Sequence, residues 1–209
     1  MSFPDFFDEV PAIVLRDPLA SFLGAAPDGA IRYTYADAVR LAGHSCGVTA
    51  TAWLLVRVGL SALYGDELPE RGGVTVQFRD AADHGTIGVT AAIFQLVTGA
   101  ATQAGFHGIG PGRRFSRRGL MTFGSGIEGL VGLRRNDNGR GVLLSGDQHA
   151  VPMSAELKDL FPRAVAGGLD EDGLARFGLL WQDRVRSLLL DHSDRVVTVA
   201  DWAEQGARA

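Results

Sequence analysis

The feature that most constrains this chain is an apolar run from Val48 to Tyr64 interrupted by a single charge, Arg57. Trp53, Leu54, Val56, Val58, Leu60 and Leu63 cover most of a helix's circumference, so the run predicts a helix buried on more than one side. Gly65-Asp66 supplies its stop. The run opens on Gly43-His44-Ser45-Cys46-Gly47, which holds the only cysteine of the chain and one of its five histidines. On a continuous helix, side chains two residues apart point to nearly opposite sides, so His44 and Cys46 share a ligand only if the chain turns there. The flanking glycines allow that turn. The expectation is a turn over Gly43 to Cys46, a helix from near Gly47, and both side chains converging at its N-terminus. A thiol there meets unpaired N–H groups and the positive end of the helix dipole, which favour the thiolate that binds metals or attacks electrophiles. The competing reading is a small buried cysteine beside an ordinary histidine.

At 209 residues the chain can bury a large apolar core, and its 28 glycines lie among strongly apolar segments, which implies turns and close backbone approaches rather than disorder. A net charge of −4 gives no reason to expect nucleic acid as a partner. Met1 to Val10 carries Asp5, Asp8 and Glu9 and no basic residue, unlike a signal peptide. Ala50 to Tyr64 reads as too short to span a bilayer, so no membrane partner is expected. One cysteine leaves no intrachain disulfide, and the location these features predict is cytoplasmic.

Taken in order, Asp17-Pro18-Leu19-Ala20-Ser21-Phe22-Leu23 reads as a short helix and Ile31 to Tyr35 as a strand. A short helical pattern over Ala36 to Leu41 leads into Gly43. Beyond the Pro69 loop, Gly73 to Arg79 is a strand, Asp80 to Gly85 a polar loop, and Ile87 to Thr98 a second helix. Strands are predicted at Leu120 to Phe123, Leu130 to Arg134 and Val142 to Ser145, with a hairpin turn at Asn136-Asp137-Asn138-Gly139 between the last two. The fold class is therefore α+β, with a core in the order α-β-α-β-β-β, a mixed sheet and C-terminal helices. Pro152 marks a boundary, so the expected organisation is an arm over 1–35, the α+β domain over 36–151 and a helical extension over 152–209. In that extension Ser154 to Phe161 and Asp170 to Leu190 read as helices, and Arg195 to Val199 as a candidate further strand. Leu174, Phe177, Trp181, Val185 and Leu188 make one apolar stripe, which packs either on its own core or on a second protein chain. A homodimer is the expected assembly.

Gly43-His44-Ser45-Cys46, opening a long apolar helix, resembles the Gly-His-x-Cys hallmark of the FmdE family, named for one of the subunits of formylmethanofuran dehydrogenase. Further on, Gln95-Leu96-Val97-Thr98-Gly99 matches that family's Gln-x-x-Thr-Gly stretch. The resemblance spans residues 36–146, and the element order is also the family's, shared with the catalytic domain of glyceraldehyde-3-phosphate dehydrogenase. It implies metal binding and cofactor-linked one-carbon metabolism. The chain departs from the pattern at Gly47, where many members have proline, at Val89 and Ala100, where members often have cysteine, and in having no cysteine-rich zinc ribbon.

With so little sulfur, the remaining candidates for further metal ligands are Asp80, Asp83 and His84 at the end of the strand before the second helix. The leading expectation is a metal site, zinc before iron or copper, held by His44 and Cys46 with His84 or Asp83 as a third ligand, acting on a small-molecule substrate or cofactor. The plainer alternative for the loop is a solvated turn in which Asp83 caps the helix. A second expectation is a non-catalytic accessory protein holding a cofactor such as haem. The third is a thiol enzyme with Cys46 as nucleophile and His44 as its base, a pairing that the spacing makes awkward. Arg113, Arg114, Arg117 and Arg118 follow the glycine-rich stretch around His107; they read as a solvated basic face or as the seat of an anionic cofactor or substrate. No role is assigned to His149 or His192.

Overall fold

The computed structural model describes residues 3–203. A 3₁₀ turn at Asp5–Asp8 buries Phe6 and Phe7. Strand β1 (Ile13–Arg16), helix α1 (Pro18–Phe22) and strand β2 (Ala30–Tyr33) follow, with β1 and β2 paired antiparallel, Ile13 opposite Tyr33. Helix α2 (Tyr35–Ala42) starts at the residue where the sequence predicts the end of a strand, because Thr34 and Asp37 close a capping box. Gly43, at φ 77°, terminates it, and α3 (Gly47–Tyr64) begins within a few residues. After β3 (Val74–Phe78) comes α4 (Ile87–Thr98), then β4 (Met121–Thr122), β5 (Val131–Arg135) and β6 (Gly141–Gly146). The chain continues through α5 (Ala155–Val165), α6 (Glu171–Arg186), a π-helical turn at Ser187–Asp191, α7 (Ser193–Val196) and β7 (Val197–Asp201).

The fold is α+β. Its main sheet is mixed, in the order β4-β3-β5-β6-β7, with β3 and β4 parallel and the other neighbours antiparallel. From α3 onward the expected α-β-α-β-β-β succession is the observed one. The segment expected as a tail strand forms β7, which joins β6 with Leu144 opposite Val199, so the C-terminal extension completes the sheet. One buried cluster takes in Phe6, Phe7, Ile13 and Leu15 from the N-terminal arm, Trp53 to Val56 from α3, Leu133 and Leu144 from the sheet, and Val185 and Leu188 from the C-terminal helices. The stripe on α6 therefore turns inward at its C-terminal end, while Leu174 at the other end is exposed.

Helix α3 lies across β5, β6 and β7 and packs beside α4. At 18 residues it reaches a membrane-spanning length that the shorter run from Ala50 does not, but 72% of it is buried inside its own fold, as befits a core helix. Gly59 sets how closely it approaches the sheet: a Cβ there would lie 2.6 Å from Leu144 Cδ1 and 2.7 Å from Leu133 Cδ1. Both leucines are fully buried. Gly59→Val is expected to destabilise the fold by about 1–3 kcal/mol through overpacking, measured by urea denaturation.

Asp17 fastens the N-terminal arm to the core. Its carboxylate caps α1 through Leu19 and Ala20 N–H and accepts from Arg71 Nη1 at 3.2 Å and Arg117 Nη2 at 2.8 Å. Only 3% of Asp17 and 7% of Arg117 are exposed. Burial by itself would raise the Asp17 carboxyl, but the Arg117 charge, joined by the Ala20, Arg71 and Leu19 hydrogen bonds, outweighs it and holds the group below the ordinary carboxylate range. Arg117 also donates to the Arg71 carbonyl as it passes Gly72, where there is no room for a side chain.

Candidate functional site

The turn between α2 and α3 is built as its glycines require. Gly43 takes the left-handed conformation that ends α2, and Cys46, extended at φ −150°, is the N-cap residue of α3 without a capping bond from its side chain. Cys46 is half-buried, with Sγ 3.5 Å from Thr49 Oγ1. His44 is exposed, and its Nδ1 lies 2.9 Å from the Ala42 carbonyl. A carbonyl only accepts, so Nδ1 carries the hydrogen, and in the neutral ring Nε2 keeps its lone pair.

Around this turn the C-terminal segment forms a clamp. The Ser45 carbonyl accepts from Trp181 Nε1 at 3.1 Å and Gln182 Nε2 at 3.2 Å, and the Ser45 hydroxyl lies 3.0 Å from the Tyr35 hydroxyl. Burial pushes the Tyr35 phenol well above its usual range, with the Ser45 hydrogen bond opposing. Arg184, 9% exposed, donates through Nε to the Val151 carbonyl at 2.9 Å and through Nη2 to the Gln148 carbonyl at 2.6 Å. Burial lowers the Arg184 pKa while the nearby Cys46 works the other way. Among the described residues Arg184 has no carboxylate partner. A Cβ on Gly47 would collide with Gln148 Oε1 and lie 3.1 Å from Arg184 Nη1, which gives a steric reason for glycine where the FmdE pattern often has proline.

Asp83 and His84 sit in the exposed loop before α4. Asp83 does not cap that helix: Thr86 is its N-cap residue, and no side chain makes a capping bond. Asp80 pairs with Arg79 at 3.0 Å; that hydrogen bond lowers its carboxyl and outweighs the opposing effect of burial, with the charges of Arg79 and His84 adding a lesser lowering. Among the described residues no group of three or more His, Cys, Asp or Glu side chains gathers where it would hold a metal ion. The structure therefore does not bring His44, Cys46, Asp83 and His84 together as one cage. What it presents is a turn with one sulfur and one imidazole, each held separately. His107 accepts from Arg118 Nη1 at 3.1 Å, and His149 lies in a turn fixed by the Asp147 side chain.

Sequence reasoning misses Tyr35, Gln148 and Arg184 as neighbours of this turn. Nothing local marks them, since each comes from a segment outside the turn itself. The glycine at position 47, where the resembling family often has proline, is the nearest signal. No protein-family model matches the chain, and no curated protein matches it.

Proposed function

We propose that this chain is an FmdE-like metal-binding protein whose working site is the turn before α3, with His44 Nε2 and Cys46 Sγ as its protein donors to a transition metal, zinc first. One observation carries the reading: the His44 Nδ1–H is given to the Ala42 carbonyl, an arrangement that metal-ligating histidines commonly use to fix the tautomer that leaves the other nitrogen free. The motif match at Gly43 to Cys46 and at Gln95 to Gly99, in the expected elements, supports it. Two donors are fewer than the three or four of an ordinary zinc site, so the remaining positions would fall to a small-molecule ligand, or to Asp83 or His84 only on movement of their exposed loop toward the turn. Bound there, zinc would supply Lewis acidity for hydrolytic or cofactor-linked chemistry. The chain's own residues contribute the placement of the donors: Trp181 and Gln182 hold the Ser45 carbonyl just before Cys46, while Arg184 fixes the backbone of Val151 and of Gln148, whose side chain packs against Gly47.

The test is metal analysis of the purified full-length protein after equilibration with zinc. About one zinc per chain is expected, lost in Cys46→Ser and weakened in His44→Ala, with the fold of each variant checked by circular dichroism. Equal zinc in wild type and Cys46→Ser would refute the reading. His84→Ala decides whether the loop supplies a third donor. A second reading, Cys46 as a nucleophile, draws on the Arg184 guanidinium that lies against Gly47, the residue next to Cys46. It requires alkylation of Cys46 by iodoacetamide to slow when Arg184 is replaced.

A further inference from the structure

A cleft of about 460 Å³ opens on the side of the molecule built from β1, the loop before β3 and the loop that follows α4. Four arginines line it: Arg16, Arg71, Arg114 and Arg117. Their only carboxylate partners among the described residues are Glu70, which pairs with Arg16, and Asp17, shared by Arg71 and Arg117. Four guanidinium groups thus face two carboxylates in a chain whose net charge is −4, so the excess of positive charge is a local construction.

The unbalanced cation at the mouth is Arg114. It forms no ion pair among the described residues and lies over two aromatic faces, 4.4 Å from the Phe115 ring centroid and 5.5 Å from that of Phe22. Deeper in, Arg117 is buried yet its Nε has no hydrogen-bond partner, and Arg71 Nε is in the same condition. A buried donor left without an acceptor is unfavourable until something accepts from it. The segment carrying Arg114 and Arg117 is held in place by paired backbone hydrogen bonds between Ile109 and Arg114, at 2.8 and 3.0 Å. Arg113 and Phe115 flank Arg114 at φ 48° and 65°, the two non-glycine residues with positive φ among those described. Such backbone is costly for a side-chain-bearing residue and persists where the surroundings enforce it.

We propose that this cleft is a binding site for a small dianion, a phosphomonoester or a dicarboxylate, engaged by Arg114 and Arg117 with Arg71 and Arg16 beside them. Two surplus positive charges match two negative ones, and the planar fork of a guanidinium suits both phosphate and carboxylate oxygens. The Phe115 ring beside the arginines offers an apolar surface for the rest of such a molecule. The site uses none of the residues around Cys46, so it stands whether or not that turn binds metal.

The probes are inorganic phosphate and succinate, titrated calorimetrically into the full-length protein at constant ionic strength. At least one should bind saturably with a Kd of about 1 mM or tighter. Arg114→Gln, on an exposed side chain, should weaken that binding about tenfold and leave the fold intact, whereas Arg163→Gln on α5 should change nothing. Phosphate binding without succinate assigns a phosphoryl ligand, and the reverse assigns a dicarboxylate. In the wild-type protein the arginine Nε–H resonances of Arg71 and Arg117 should shift during the titration, a readout that needs no substitution in the Asp17 network. Absence of saturable binding by either probe up to about 20 mM, wild-type affinity in Arg114→Gln, or unmoved arginine resonances would overturn the proposal.

Discussion

Asp17→Ala is expected to lower the unfolding free energy by about 3–5 kcal/mol at neutral pH, because it leaves the buried Arg117 without its carboxylate and takes an acceptor from the partly exposed Arg71. Asp17 accepts from Arg71 and Arg117 and from two backbone N–H groups of α1, so the variant loses an ion-pair network and a helix cap together. Asp17→Asn keeps an acceptor for the cap and should lose less. The acid dependence follows from the direction of the pKa shift. The folded Asp17 carboxyl lies below the ordinary value of 3.8, so its stabilisation is fully present above the unfolded value and fades as pH falls through the lower, folded one. Denaturant titrations of wild type and Asp17→Ala should therefore differ most at neutral pH and draw together below about pH 3.8. A loss under about 1 kcal/mol at pH 7 would mean that the network behaves as a solvated surface pair.

Arg184→Ala should cost about 2–4 kcal/mol, since the carbonyls of Val151 and Gln148 each lose a charged donor in a buried place. Part of that loss is offset, because the burial that lowers the Arg184 pKa no longer has a charge to oppose. The damage should be local as well as global. Amide hydrogen exchange at Gly47 and Val48 should quicken in the variant, since Arg184 lies against Gly47 and holds the Val151 and Gln148 backbone beside it. Unchanged exchange there, with unchanged stability, would show that Trp181 and Gln182 hold the turn unaided.

Most of the fold is legible in the sequence because its signals are local. The periodicities of Gly47 to Tyr64 and Ile87 to Thr98 identify α3 and α4 closely, and Asn136 to Gly139 places the hairpin between β5 and β6. The β1 strand is not legible, because Ile13 to Arg16 is a run of only 4 residues whose partner and register lie elsewhere. Periodicity places the start of α2 too late, since the Thr34 and Asp37 capping box outweighs the β propensity of Tyr33 and Tyr35. The turn at Gly43 to Cys46 shows in its glycines, but the orientation of the His44 ring does not. The Ala42 carbonyl captures that ring, and no spacing rule foretells which acceptor a surface imidazole will choose. The arginine cleft is half legible. Arg114 and Arg117 stand out as a basic cluster, whereas Arg16 and Arg71 join them only through tertiary contacts.

Asp17 and Arg117 are separated by 100 positions along the chain. Closing a loop of that length is entropically slow and becomes worthwhile only after the intervening β3–α4 unit has docked, so this contact belongs to the late part of folding. The energetic consequence of removing it should then appear in the unfolding limb of a chevron plot, with the refolding rate nearly that of the wild type. The ion pair would act as a latch on the finished molecule, prolonging the lifetime of the native state without helping to nucleate it.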